Sequence, residues 1–216
     1  MGAALVSVTA VLFDFDMTLV DSGVAVTECM NMMADAVGCR RVTRDEMLSV
    51  IGKTLEDEWR LLWGRCEPGW LDFYRSNFVD AEFGLITRYE GTRPALSELR
   101  EMGIKVGVVS NRKYARRAVD ICGIADLCDV AIGLEDVTNP KPHPDALLLA
   151  LERLGASRSE AMYVGDTDID IKTAEAAGVF GVGVTTGSFD SERLTAAGAA
   201  LVCSDLRELP EFIKNI

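Results

Sequence analysis

Short apolar runs recur at residues 8–13, 105–109, 130–134, 161–164, 180–184 and 199–202, each β-like in length and composition. From residue 104 onward they alternate with stretches of helical spacing over about 114–121, 144–154, 169–177 and 210–214. Pro144 suits a helix start, where a missing N–H is no loss, and Gly178 suits a C-cap. Such alternation predicts a parallel α/β sheet with right-handed crossovers. Residues 22–88 break the pattern: they lack strand-like runs and show helical spacing over 24–37, 44–51, 55–63 and 70–78. Met30, Met32 and Met33 with Trp59, Trp63 and Trp70 read as the core of a helical bundle rather than a cofactor box. The expected organisation is a core of residues 1–21 and 89–216 with an all-helical insert at 22–88. Its hinges are expected near Asp21-Ser22 and Arg88-Tyr89, with Thr92 as the N-cap of the next helix.

Four polar clusters follow directly on these runs. Asp14-Phe15-Asp16-Met17-Thr18-Leu19 closes the first, Ser110-Asn111 follows 105–109, Pro140-Lys141-Pro142 lies beyond 130–134, and Gly165-Asp166-Thr167-Asp168-Ile169-Asp170 closes 161–164. In an open parallel sheet, ligands bind outside the carboxyl ends of the strands, so the four clusters should converge on one crevice. Asp14 and Asp16 can both point into a small site, hold a divalent cation, and divide nucleophilic attack and proton transfer between them. Each cluster alone has a plainer reading. Acidic pairs at strand ends are often solvated, a lone lysine is usually a surface group, and Asp166 with Asp170 suits a helix N-terminus. Their convergence favours function. Gly52-Lys53-Thr54 reads either as a glycine-led helix connector or as a loop reaching the site. His143, the only histidine, reads as a loop or helix-start residue.

In order and spacing these motifs resemble the haloacid dehalogenase-like hydrolases, specifically the phosphoglycolate phosphatase-like branch with a helical cap after the first strand. The resemblance rests on Asp14 to Thr18 with the Leu19-Val20-Asp21-Ser22 tail, on Ser110, on Lys141, and on Gly165, Asp166 and Asp170, and covers nearly the whole chain. It implies a Rossmann-like parallel sheet core carrying an inserted all-helical cap domain. Two departures stand out: Met17 where glycine is commonest, and Glu90 where Tyr-Pro-Gly is usual. Neither removes a catalytic group, and Met17 is expected to narrow the pocket mouth.

The resemblance implies phosphomonoester hydrolysis through an aspartyl-phosphate. Asp14 is then the nucleophile. Asp16 protonates the leaving alkoxide and later deprotonates water, help typically worth ~10²–10⁴-fold. Phosphate binding falls to Ser110, Lys141 and the groups around Phe15, Asp16 and Asn111. Mg²⁺ suits an oxygen-only site of Asp14, the Asp16 carbonyl and Asp166, with Asp170 binding indirectly or orienting Lys141. Asp168 is expected to serve the helix end. Gly52 and Lys53 are implied as specificity residues, Lys53 for a carboxylate or second phosphate. The expected substrate is a small phosphorylated metabolite, a phosphoglycolate-like acid or a sugar phosphate. Three alternatives stay open. One is a β-phosphoglucomutase-like phosphomutase. Another is a phosphonoacetaldehyde hydrolase-like enzyme with a cap lysine such as Lys53 in a Schiff base, against which Asp16 argues. The third is a non-catalytic binding protein on the same fold.

Charge and cysteines narrow the partners. A formal net charge of −12 over 216 residues argues against nucleic acid, although a cation with Lys141 can make a site locally positive. The six cysteines show no C-x-x-C pair and read as reduced thiols of a cytoplasmic protein, with a Cys122–Cys128 disulfide as the alternative. The apolar start at 3–13 lacks a basic flank and reads as a strand rather than a signal peptide. Met1-Gly2 lacks the hydroxyl residue that myristoylation requires at Val6. No stretch approaches ~18 uninterrupted apolar residues, so no membrane contact is expected. The chain is expected to be a monomer or homodimer.

Overall fold

The apolar runs become the strands of one parallel sheet. The computed structural model describes residues 7–216; the expectations for Met1-Gly2 and residues 3–6 lie outside them. The strands are β1 (Ala10–Phe13), β4 (Lys105–Val109), β5 (Val130–Ile132), β6 (Ala161–Gly165), β7 (Phe180–Val184) and β8 (Leu201–Cys203), in the spatial order β5-β4-β1-β6-β7-β8. The continuous burial of β1 and β6 explains why they read as apolar runs rather than alternating patterns. Phe13 aligns with Val108 on one side and Val164 on the other. The carboxyl ends of β1, β4 and β6 therefore lie side by side where the strand order reverses, the usual crevice for a ligand in such a sheet.

Helices cover both faces. On one, α6 (Thr92–Glu101), α7 (Ala115–Ile121) and α11 (Glu208–Lys214) pack Leu96, Leu99, Val119 and Leu209 against Val11, Phe13 and Val164. On the other, α8 (Asp145–Leu154) and α9 (Asp168–Ala177) pack Leu147, Leu151, Ala174 and Ala177 against Leu12, Val109 and Tyr163. A further short helix, α10 (Ser191–Ala196), lies between β7 and β8.

Between β2 (Val20–Asp21) and β3 (Thr87–Arg88), which pair antiparallel, run α1 (Gly23–Val37), α2 (Arg44–Leu48), α3 (Leu55–Trp63), α4 (Trp70–Asn77) and α5 (Val79–Leu85). They enclose an apolar cluster of their own containing Met30, Met33, Trp59 and Trp70. Trp70 stands edge-on to both Trp59 and Trp63, each at 5.8 Å between ring centroids. Met32, expected in that core, is instead 46% exposed on the outer face of α1. Thr92 is the first residue of α6 rather than its cap, and its hydroxyl donates to the Leu19 carbonyl at 2.6 Å. All six cysteines are free thiols. No helix among the described residues is long and apolar enough to cross a membrane.

Candidate active site

β1 delivers Asp14 to the crevice, β4 delivers Ser110, and β6 delivers Asp166; all three are buried. Lys141 reaches the same point from the loop after β5, with its side chain only 1% exposed. Its Nζ donates to Asp14 Oδ1 at 2.7 Å, to Asp170 Oδ1 at 2.7 Å and to the Tyr163 hydroxyl at 3.0 Å. A buried ammonium is stable only with such partners. Tyr163 donates onward to the Val109 carbonyl at 3.0 Å. The other oxygen of Asp170 accepts from the Thr167 hydroxyl at 2.7 Å and from the Thr167 backbone N–H at 3.2 Å, the latter bond belonging to the capping box at the start of α9. Asp170 therefore serves both the helix end and the lysine. Asp168, the first residue of α9, stands at the helix end as expected and salt-bridges Lys172 at the surface, away from Lys141.

The carboxylates of Asp14, Asp166 and Asp170 bring one oxygen each within 4.8 Å of one another. Asp166 Oδ1 accepts from the Thr18 hydroxyl at 3.2 Å, while its buried Oδ2 has no partner among the described residues. An orphaned buried carboxylate oxygen is costly unless a cation satisfies it. Burial, with Asp170 and Asp14 nearby, pushes Asp166 well above the usual carboxylate range. Burial likewise raises Asp14 to about 7, with Lys141 pulling the other way. This all-oxygen donor set fits a hard divalent cation such as Mg²⁺. Two glycines make room for it: a Cβ on Gly165 would collide with Asp170, and one on Gly187 with Asp166.

Asp16 sits apart from this lysine. Arg112 grips it with two hydrogen bonds, Nε to Oδ2 at 2.9 Å and Nη2 to Oδ1 at 2.7 Å. Burial alone would raise Asp16, but the guanidinium outweighs it and holds the carboxyl below its ordinary value. Arg112 Nη1 also lies 2.5 Å from Glu82 Oε1 of α5, but off the hydrogen-bonding direction, so that oxygen accepts no hydrogen bond. The guanidinium rests over the rings of Phe15 and Phe83, 5.8 and 5.6 Å from their centroids.

Asn111 acts as a staple. Its amide nitrogen donates to the Gly52 carbonyl at 3.0 Å and the Lys141 carbonyl at 3.1 Å, and its oxygen accepts from the Lys141 N–H at 2.8 Å. The Gly52–Thr54 turn is thereby docked onto the core, at a glycine whose φ of +93° few other residues adopt. The Ser110 hydroxyl accepts from the Arg112 amide at 3.0 Å. Among the described residues, the backbone N–H groups of Phe15 and Asn111 donate to no backbone carbonyl.

A cavity of about 120 Å³ separates the helical insert from the sheet. Asp14, Asp16, Ser110, Asn111 and Arg112 line its core side; Gly52, Lys53, Glu58, Tyr74 and Glu82 line the other. His143 is half-exposed, paired with Asp145 at 2.8 Å, and outside the cavity. Met17 does not narrow the mouth as expected; it is 2% exposed and packs into the insert's apolar cluster. The residues that sequence reasoning missed are Arg112, Glu58, Glu82, Tyr74, Tyr163 and Gly187. Two carried a signal: Glu58 and Glu82 interrupt apolar helical stripes, at Leu55-Glu58-Trp59-Leu62 and Val79-Glu82-Phe83.

Comparison with known proteins places this geometry. A family described as Haloacid dehalogenase-like hydrolase matches residues 11–184. A pyrophosphatase PpaX from Bacillus pumilus is 31% identical over 180 residues, 82% of this chain and 83% of the relative. A solved structure from Bacteroides fragilis, described as a haloacid dehalogenase-like hydrolase, superposes with a TM-score of 0.86 at 34% identity, covering 94% of this chain and all of that one. A predicted phosphatase from Clostridium acetobutylicum shares the fold at a TM-score of 0.87 and 22% identity, covering 97% of this chain and all of that one. The chain belongs to the haloacid dehalogenase-like hydrolases.

Proposed function

We propose that this phosphatase of the haloacid dehalogenase-like family is a Mg²⁺-dependent phosphomonoester hydrolase acting on a small phosphorylated metabolite through an aspartyl-phosphate on Asp14. The supporting observation is the buried Lys141 ammonium shared by Asp14 and Asp170, beside an Asp166 oxygen that lacks a partner. Asp14, the Asp16 carbonyl and Asp166 would hold Mg²⁺, with Asp170 behind them. The cation supplies charge neutralisation and orients the phosphoryl oxygens. In the proposed course, Asp14 attacks phosphorus in line. Lys141, Ser110 and the free amides of Phe15 and Asn111 hold the negative charge of the non-bridging oxygens. Asp16, which must part from Arg112 and take up a proton before it acts, gives that proton to the departing alkoxide, then takes one from the water that hydrolyses the acyl-phosphate. Residues 22–88 act as a cap, with the Gly52–Lys53 turn over the substrate and bulk water excluded.

Phosphate release from a panel of phosphorylated metabolites tests this reading. Release should require Mg²⁺, vanish in Asp14→Asn, and fall by about 10²–10⁴-fold in Asp16→Asn. Folded Asp14→Asn protein that still turns over would exclude Asp14 as nucleophile. Label returned to an isomer of the substrate, with no free phosphate, would identify a mutase instead.

A further inference from the structure

The leaving-group end of the cavity holds a carboxyl group that the proposed chemistry does not use. Glu58, on α3, is only 6% exposed and lines the cavity, yet its side chain makes no hydrogen bond among the described residues. Of its polar neighbours, Tyr74 and Arg112 are engaged elsewhere, while Lys53 lies close enough to act on it electrostatically. Tyr74 donates to Glu82 Oε2 at 2.7 Å, and Arg112 is divided between Asp16 and Glu82. A carboxyl this enclosed is largely desolvated, and its oxygens, unlike Glu82 Oε1, open to the cavity rather than to closed protein. Here it occupies a position in the stripe Leu55-Glu58-Trp59-Leu62 that an apolar residue would fill with better packing. A local rule broken without compensation in the empty protein marks a functional site.

Charge decides which ligand group fits. Asp16 and Glu82 set two buried carboxylates against one guanidinium, so a second acidic group on the substrate would enter a region already negative. The cations Lys53, Arg75, Lys113 and Arg117 also line the cavity, but all four are partly or largely solvent-exposed, where screening weakens them. A hydroxyl group instead donates to a carboxyl oxygen without adding charge. We propose that Glu58 is a specificity residue that accepts a hydrogen bond from a hydroxyl of the leaving alcohol, so that the preferred substrates are polyol monophosphates rather than phosphoesters carrying a second acidic group. This inference rests on the phosphomonoesterase reading above.

The test compares kcat/KM for glycerol phosphate, phosphoglycolate, pyrophosphate and p-nitrophenyl phosphate, using the whole chain with Mg²⁺. Wild type should favour glycerol phosphate over both doubly acidic substrates. In Glu58→Leu, the ratio of kcat/KM for glycerol phosphate to that for p-nitrophenyl phosphate should fall about 10–100-fold, the worth of a hydrogen bond to a charged group. Most of that loss should appear in KM. Glu58→Gln, which keeps volume and an acceptor oxygen, should recover part of the ratio and secures the test if the leucine variant misfolds. The melting temperature of Glu58→Gln should equal or exceed that of wild type, because a structural role would lower it. Preference for phosphoglycolate or pyrophosphate in wild type, or an unchanged ratio in both variants, overturns the assignment while leaving the hydrolase reading intact. Failure to hydrolyse any of the four, p-nitrophenyl phosphate included, removes both readings together.

Discussion

Arg112 is the residue on which two buried carboxylates depend, one from the turn after β1 and one from α5. Removing one member of a buried ionic network leaves the others uncompensated, so Arg112→Met should cost about 3–5 kcal/mol of stability. The loss has a pH signature. Asp16 is buried, which would raise it, yet Arg112 holds it below 3.8. A carboxyl depressed in the fold contributes stability that is present above its unfolded value and lost as pH falls through its folded one. Urea denaturation should therefore show the largest gap between wild type and variant near pH ~7, shrinking towards pH ~3. A gap constant across that range would mean that packing over Phe15 and Phe83, rather than charge, is what Arg112 supplies. Adding Glu82→Gln to the variant should recover part of the loss, because it removes a stranded charge.

At the scale of elements, the β-α alternation was legible because the central strands β1 and β6 are buried throughout and the longer covering helices each bury one stripe. Asp14, Asp16, Ser110, Lys141, Asp166 and Asp170 were legible because each follows an apolar run. What escaped has specific causes. The helix α5 follows α4 with only Phe78 between them, at once the last cap of one and the first cap of the other, with no glycine or proline to mark the break. The helix α10 buries a single side chain, Leu194, too little for a periodic signal. Arg112 depends on contacts between the insert and the core, which no local pattern encodes. Met17 belongs here too, since it joins the Asp14–Asp16 turn to the insert. Its φ of +57° is left-handed, which costs a non-glycine residue about 1–2 kcal/mol. Its side chain, however, is buried among the insert's apolar residues, worth about 1.5–3 kcal/mol. Burial wins, so Met17→Gly should lower the melting temperature despite relieving the strain. A rise in melting temperature would show that the contact with the insert is weak in solution.

For the whole molecule, the buried acidic cluster links stability to pH and to the cation. Asp14 is raised by burial from 3.8 to about 7, and Asp166 is raised well above its ordinary value by burial and its acidic neighbours. A carboxyl raised in the fold favours the folded state while both states are protonated, and that contribution is lost as pH climbs from the unfolded value to the folded one. Without divalent cation, the melting temperature should therefore decline between pH ~4 and pH ~7. On the proposed reading Mg²⁺ would bind the ionised carboxylates, so the stabilisation it brings should grow over the same interval. At about a hundred times its dissociation constant, a cation bound only by the folded state contributes about 2.7 kcal/mol. In a chain of this size that corresponds to a rise of roughly 5–10 °C. Asp166→Asn should flatten the pH dependence without Mg²⁺ and reduce the Mg²⁺ increment, because it removes the orphaned oxygen. Differential scanning calorimetry with Mg²⁺ and with chelator, at both ends of the interval, separates the outcomes. An equal Mg²⁺ increment at both pH values, unchanged in Asp166→Asn, would place the stabilising ion on the acidic surface of a chain with net charge −12 rather than at the strand ends.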